Sequence, residues 1–366
     1  MKIANVEAIP FTIPYTHGAI TYAAGSVLAA EHVLIIITTN EGVTGYAEAP
    51  ARPFIYGESQ ESIVKAVNEW FKPQLLNMNI FETENIRKKL DFVAANNTAK
   101  AAIDNAVHDI IGKYLNIPCY KLLGNARTDV DVSWMLGISD NAVNEAVEMI
   151  DTYGFGCLMV KGGVNPIEDI QRIKEIRSAV GDDITLYIDI NQGYDIPTSI
   201  RVLKEMEKYN VAWVEEPCPI YDKRGRRDVA LSTSIPLLGD DSCMTPYEVA
   251  QELLHGALRV VGIKVARTGI VWSKKIAAIC EGYNVPNLLG TQGDGAIGTM
   301  SNLHFAAATS NVSLPSAISY YMHLEDDIVE YIPEIKNGKI KLGSLPGMGI
   351  VIDEKKLNRY RVDKAV

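Results

Sequence analysis

ITLYIDINQGYDIPTSIRVLKEMEKYNVAWVEE, residues 184–216, holds the pattern that decides the fold. An apolar, β-branched run closes on Asp189, an amphipathic helical stretch follows, and a second apolar run closes on Glu215. Strands that are apolar almost throughout are strands buried on both faces, as in parallel sheets joined by helical crossovers. Outward from this stretch the same unit recurs in VDVSWML (130–136), CLMVKG (157–162), IPLLGDD (235–241), RVVGIKV (259–265) and VPNLLGT (285–291). Helical stretches such as NPIEDIQRIKEIRSAV (165–180) fall between them. The alternation predicts an α/β protein built on a parallel sheet, and either a barrel or a doubly wound sheet satisfies it.

The flanks read differently. VLIIITTNEGVTGYAEAP (33–50) reads as strand, Asn-Glu-Gly turn and strand, so a hairpin or meander opens the protein. Residues 61–76 and 97–118 carry apolar positions at i, i+3, i+4 spacing and predict helices. The tail, with NGKIKLGSLPGMGIVIDEKKLNRY (337–360), returns to turn-rich strand character and is expected to pack back on the first domain. The expected division is an α+β domain at 1–125 completed by 325–366, and an α/β domain at 126–324.

Composition limits the partners. The 366 residues are 47% hydrophobic and 22% charged, enough apolar material for a large core. A net charge of −10 argues against nucleic acid and anionic membrane, because both would be repelled. No apolar run approaches the roughly 20 residues of a membrane span, and the first residues lack a signal peptide's h-region, so a cytoplasmic protein is expected. Cys119, Cys157, Cys218, Cys243 and Cys280 are scattered without a CxxC pair and read as free thiols rather than a zinc site.

The strand ends carry the chemistry. Lys161, Asp189, Glu215, Asp240, Lys264 and Asp294 close successive strands at intervals of about 24 to 30 residues, one βα unit each. In a barrel such residues face one centre on one rim. Asp189, Glu215 and Asp240 would form an all-oxygen set suited to Mg²⁺ or Mn²⁺ rather than zinc. Each acid alone would pass as a helix cap, but three at equal spacing point to a site. Lys161 and Lys264 follow apolar runs, so burial is expected to lower their pKa towards the range useful for proton transfer, against the pull of the acids. Coordination of a substrate carboxylate would offset the charge that appears when the neighbouring carbon becomes an enolate.

At these residues the sequence resembles the muconate lactonizing enzyme subgroup of the enolase superfamily. AKAAIDNAVHDIIGKYLNIPCYKLLG (99–124) is similar to a helical signature of that family's capping domain. YIDINQGY (187–194), VEEPCP (214–219), GDDS (239–242), GIKVARTG (262–269), GTQGDGAIGT (290–299) and PGMGIVID (346–353) resemble its remaining motifs in order. The resemblance covers essentially the whole chain. It implies a modified TIM (β/α) barrel with an α+β capping domain formed by the N-terminal third and the C-terminal tail. It implies Mg²⁺ on Asp189, Glu215 and Asp240, and acid/base roles for Lys161 and Lys264. It makes Asn191, Glu216, Asp241 and Asp294 supporting groups that orient these. Two loops near Thr16 to Ala24 and Pro53 to Glu58 would cover the substrate, with Phe54 and Tyr56 as lid candidates. A homo-oligomer is a further expectation from the family.

Two departures stand out. The usual Lys-x-Lys of the second strand reads Met159-Val160-Lys161, and the seventh-strand motif carries Asp294 where many relatives have glutamate. No histidine follows the sixth or seventh strand at the required place, so histidine chemistry of the mandelate racemase type is not expected, and His304, a few turns further into a helix, reads as structural. Gly293-Asp294-Gly295-Ala296-Ile297-Gly298 matches a dinucleotide fingerprint but lacks the acid expected about 20 residues on.

The resulting expectation is a metal-dependent isomerase acting on a small carboxylate, foremost a muconate-type cycloisomerase. The alternatives are a racemase or epimerase of an amino acid derivative, a dehydratase of a hydroxy acid or hydroxyproline, and a non-catalytic barrel that only binds.

Overall fold

The computed structural model describes residues 1–16, 18–22 and 25–363. Ile3–Pro14 pairs antiparallel with Ala29–Thr39, which pairs in turn with Thr44–Pro50 across the expected turn. One face of this meander is sealed by the helix Asn97–Leu115, whose Ala99, Ala102, Ile103, Ala106 and Ile110 pack against Val33, Ile35, Ile37, Ala47 and Ala49. Small residues on the helix let it lie close to the sheet.

The barrel strands are, in order, Trp134–Leu136, Cys157–Lys161, Thr185–Asp189, Val211–Glu215, Leu237–Gly239, Leu258–Ile263 and Asn287–Leu289, all parallel and hydrogen-bonded in sequence order. The ring closes through residues 312–318. Ala317 donates to the Leu289 carbonyl on one side, while Ser133 donates to Ser316 and Ser316 to Asp131 on the other. The sheet is therefore a barrel and not a doubly wound sheet. No helix among the described residues is long and apolar enough to cross a membrane.

Two local readings change. VDVSWML is not one strand: Trp134–Leu136 joins the barrel, whereas Asp129–Asp131 pairs with Lys339–Lys341 of the tail. The end of the tail is helical at Glu354–Tyr360, because Asp353 caps it by accepting from the Lys355 and Lys356 amides. The tail also returns to the first strand, where Val362 donates to Pro10.

Cap and barrel lock together at Gly269. This residue breaks the helix Val265–Gly282 with φ 64°, and Asp104 of the long cap helix accepts from Val271 at 2.8 Å in the gap. A Cβ on Gly269 would meet the Asp104 carboxylate at 2.3 Å. Gly269→Ala is expected to cost about 2–4 kcal/mol, from left-handed strain plus the displaced carboxylate. Urea unfolding should show a lower midpoint at an unchanged slope.

Candidate active site

Parallel pairing sets the strand ends level. Lys161 lies beside Asp189 in one rung and Asp189 beside Glu215 in the next, with Glu215 opposite Leu238 of the fifth strand. Side chains two apart share a strand face, so Met159, Tyr187 and Trp213 form the layer directly beneath Lys161, Asp189 and Glu215. All three are buried, and the Tyr187 and Trp213 rings stack with centroids 4.9 Å apart. Met159 thus fills the barrel floor, and the second strand brings one ammonium to the rim.

Above that floor the acids are buried and crowded. Asp189 accepts from Lys161 Nζ at 2.5 Å and from the Asn191 amide at 2.9 Å. Asp240 accepts from Lys264 Nζ at 2.5 Å and from Arg267 Nη2 at 2.8 Å. Burial works to raise the Asp240 carboxyl, but Arg267 and Lys264 outweigh it and hold it well below the usual carboxylate range. Among the described residues Glu215 has no such ion pair. Burial drives its carboxyl well above the ordinary value, and the charges of Asp189 and Asp240 push it further.

The lysines correct an expectation. Burial alone would lower Lys161, but Asp189 and Glu215 override it and the ammonium is held above the usual lysine range. Lys264 is raised likewise, with burial opposed and exceeded by Asp240. Desolvation lowers an isolated lysine, and a carboxylate at 2.5 Å reverses the sign.

The supporting groups are tightly held. Glu216, at a left-handed φ of 37°, accepts from the Asp240 amide at 2.7 Å and from the amide and hydroxyl of Ser242 at 2.9 and 2.7 Å. Behind it the fully buried Arg226 lies 3.0 Å from Glu216 and 3.4 Å from Glu252, close in charge though not aligned as hydrogen bonds. Asn191 accepts from Lys161 at 3.3 Å, and Asp241 sits 3.4 Å from Arg267. Asp294 does not meet Lys264. It folds onto its own loop, accepting from the Thr291 hydroxyl at 2.8 Å and the Gln292 amide at 3.1 Å, with its other oxygen buried and unpartnered.

Cap and barrel together enclose a cavity of about 590 Å³, part of it open to solvent. Lys161, Lys264, Asn191, Asp240 and Asp241 line its barrel side, and Tyr15, Ile20, Val27, Arg52, Ile55 and Tyr56 its cap side. Tyr56 accepts from Arg267 at 3.0 Å. Phe54 is 76% exposed and lines a neighbouring recess instead. Of the other lid segment, His17, Ala23 and Ala24 lie outside the described residues. Arg52, Arg267, Met135 and Tyr320 were not anticipated. Arg267 was legible as an i+3 partner of Lys264 on an incipient helix; Arg52 had no local signal. His304 accepts from the Tyr120 amide at 3.0 Å, and burial lowers its pKa to about 3, so it is a neutral structural group. The five cysteines are buried and free.

The glycine run of residues 293–298 packs against acids. A Cβ at Gly298 would meet Glu48 Oε1 at 2.6 Å, and the amides of Gly295 and Ala296 are already taken by Glu48 and Asp327. A phosphate there would face carboxylates.

Among the described residues no three acid, imidazole or thiolate groups are drawn into a finished metal cage, and a lysine ammonium lies 2.5 Å from each of Asp189 and Asp240. The donor chemistry nonetheless fits a hard divalent cation. Three buried carboxylates stand at the ends of three consecutive strands, and Glu215, raised by burial and by the charges of the other two, carries an electrostatic imbalance that such a cation relieves.

Comparison with known proteins agrees with this architecture. The profile described as mandelate racemase / muconate lactonizing enzyme, N-terminal domain, matches residues 6–124, and the one described as enolase C-terminal domain-like matches residues 141–356. A muconate lactonizing enzyme from Mucobacterium smegmatis, solved with muconolactone, superposes with a TM-score of 0.97 at 37% identity, covering 99% of this chain and 100% of that one. The L-Ala-D/L-Glu epimerase of Clostridium acetobutylicum is 31% identical over 90% of this chain and 93% of its own. Muconate cycloisomerase 1 of Rhodococcus opacus is 27% identical over 96% of each. The chain belongs to the mandelate racemase/muconate lactonizing enzyme family of the enolase superfamily. It is an enzyme whose relatives are isomerases, and enzymes of this family are generally metal-dependent.

The Arg226 network gives a test of how the site is held. Arg226→Met leaves Glu216 buried without its cation, and Glu252 with Lys223 alone at 3.5 Å, and is expected to cost about 3–5 kcal/mol. Chemical denaturation measures it, and a loss below about 1 kcal/mol would mean Glu216 is held by its amide donors alone.

Proposed function

We propose that this enzyme is a Mg²⁺-dependent cycloisomerase of the muconate lactonizing type. The observation that carries the reading is the pair Lys161 and Lys264, from the second and sixth strands, each against one of the clustered acids at the cavity wall. Likeness to the lactonizing enzyme solved with its lactone, across nearly the full chain, supports the choice of reaction.

Asp189, Glu215 and Asp240 would hold the metal, with Asn191, Glu216 and Asp241 orienting them. When bound, the divalent cation supplies positive charge that stabilises the negative charge growing on a substrate carboxylate. The chain's own residues do the rest. The cavity folds a dienedioate so that one carboxylate oxygen adds to the distant alkene carbon, and the electron pair moves towards the other carboxylate as an enolate. A lysine ammonium at the rim then gives its proton to the enolate carbon of the ring-closed intermediate, completing the product, and recovers a proton from solvent. The acid neighbours that keep both lysines protonated suit a donor. Met159 leaves the floor beneath Lys161 apolar, so proton delivery falls to the rim amines.

A second reading, epimerisation at a carbon next to a carboxylate, is favoured by the 31% identity to the L-Ala-D/L-Glu epimerase. It uses the same two lysines, one removing a proton and the other returning it.

With Mg²⁺ and cis,cis-muconate, the purified protein is expected to bleach the diene absorbance and yield a lactone by NMR. EDTA should stop the reaction, and Mg²⁺ or Mn²⁺ should restore it. Lys161→Ala and Lys264→Ala are each expected to lose on the order of 10²–10⁴-fold in kcat where they carry the proton. Absence of lactone, together with α-deuterium uptake by dipeptides or N-acyl amino acids in D₂O, would reject cycloisomerisation for the epimerase reading.

A further inference from the structure

Lys161 stands at a strand end whose hold on the barrel comes partly from residues away from the cavity. We propose that Asp169 is a positioning residue for Lys161: its carboxylate ties the loop after the second barrel strand to the loop after the third, and so sets where the Lys161 ammonium lies against Asp189 and Asn191. The consequence for turnover rests on Lys161 carrying a proton, as proposed above.

Asp169 lies in the first turn of the helix Pro166–Val180 and is buried. An acid at that place would ordinarily serve the helix end alone. Here the carboxylate turns towards the strand end. Its Oδ2 accepts from the Gly163 amide at 2.8 Å and from the Tyr194 hydroxyl, and its Oδ1 accepts from Arg172 Nη1 at 2.6 Å. The same Arg172 nitrogen donates to the Lys161 carbonyl at 3.3 Å. The carboxylate therefore holds the second strand end twice, directly at Gly163 and through Arg172 at Lys161 itself.

Tyr194 brings the third strand into the same hold. It ends the loop that leaves Asp189 through Asn191 and Gln192, both left-handed at φ 47° and 64° and so kept from the backbone region they prefer. Burial and the Asp169 carboxylate raise the Tyr194 hydroxyl well above the usual tyrosine range, so it stays a donor. Between the two loops, backbone lies on backbone. A Cβ on Gly163, at φ 94°, would stand 2.1 Å from the Ile190 carbonyl oxygen, and one on Gly193 would stand 2.1 Å from the Gly163 carbonyl oxygen. Asp169 thus closes a contact that has no slack. Lys161 spans that contact, rooted on the second strand with its partners on the third, Nζ lying 2.5 Å from Asp189 and 3.3 Å from Asn191. Lys264 is anchored elsewhere, by Asp240 and by Asn302, which accepts from the Val265 amide at 3.2 Å. Loosening Asp169 should reach one lysine and leave the other.

The first test needs no substrate. Asp169→Asn and Tyr194→Phe, both close in shape to the native side chains, are loaded with Mg²⁺ and methylated with formaldehyde and cyanoborohydride at one fixed pH, and mass spectrometry follows each lysine. Lys161 is expected to react at least about fivefold faster in Asp169→Asn, as the loss of one hydrogen bond of ordinary strength allows, and less so in Tyr194→Phe. Lys264 is expected to keep its native rate in both. Lys161 and Lys264 rising together, as a general loosening of the fold would make them, overturns the proposal, and so does an unchanged Lys161 rate in both variants. With cis,cis-muconate, Asp169→Asn should lower kcat on the order of tenfold or more with KM near native, because a small misplacement of a proton carrier acts on the chemical step. In a Lys161→Ala background the same change should add less than about threefold, since the group it positions is gone; the full loss recurring there overturns the proposal. Faster labelling confined to Lys161 in a protein that makes no lactone would reject the cycloisomerase reading and leave this one standing. Muconate turnover with both lysines loosened together does the reverse.

Discussion

Three carboxylates brought together at the mouth of a closed barrel are the constraint to which the surrounding structure answers. Ionised carboxylates out of water repel one another and lose hydration, so each needs a positive partner or takes up a proton. Asp189 has Lys161, and Asp240 has Lys264 and Arg267. Glu215, between them, has no cation within ion-pair distance among the described residues, and burial with the charges of Asp189 and Asp240 pushes it towards its neutral form against the pull of Lys264 and Lys161. Stability alone would be served better by apolar residues at these strand ends. Retaining the acids makes sense as the cost of the cation site proposed above.

That cost is contained by a second ring of groups. Glu216 leaves the strand with a left-handed backbone and turns away from the cavity to collect donors from Asp240 and Ser242, while Arg226 balances its charge. The Asp240 backbone is thereby fixed from behind while its side chain faces Lys264 and Arg267. Arg267 continues the chain outward to Tyr56 of the cap loop. A continuous run of polar contacts thus joins Arg226, behind the barrel rim, to Tyr56 of the cap loop.

The barrel and its acids were legible in the sequence because their signal is periodic. Each βα unit repeats an apolar run ending in a polar residue, and parallel pairing converts equal spacing into equal height on one rim. What escaped depends on pairing in space. The direction of the lysine pKa shifts turned on which oxygen each ammonium would reach, which spacing does not specify. Asp294 sat at the expected strand end but faced its own loop and Glu48, since Thr291 and Gln292 captured it locally. The strand VDVSWML split because the tail, distant in sequence, offered Asp129–Asp131 a partner. Arg52 became meaningful only once the cap was docked and Gly293 lay against it.

The docking itself assigns separate tasks to the two halves. The barrel supplies the clustered acids and both lysines, so the groups proposed to carry the chemistry sit on strand ends that cannot move without opening the sheet. The cap supplies Tyr15, Ile20, Val27, Arg52, Ile55 and Tyr56, on loops and strand ends whose side chains can change without disturbing any barrel rung. A family built this way can keep its chemistry while exchanging substrates. Gly293 is where the separation fails: it belongs to the barrel, yet its missing side chain is required by a cap arginine. Any relative that replaces Arg52 relaxes the steric demand on that glycine, and any relative that adds a side chain there must reposition the arginine, so the two positions constrain each other across the interface.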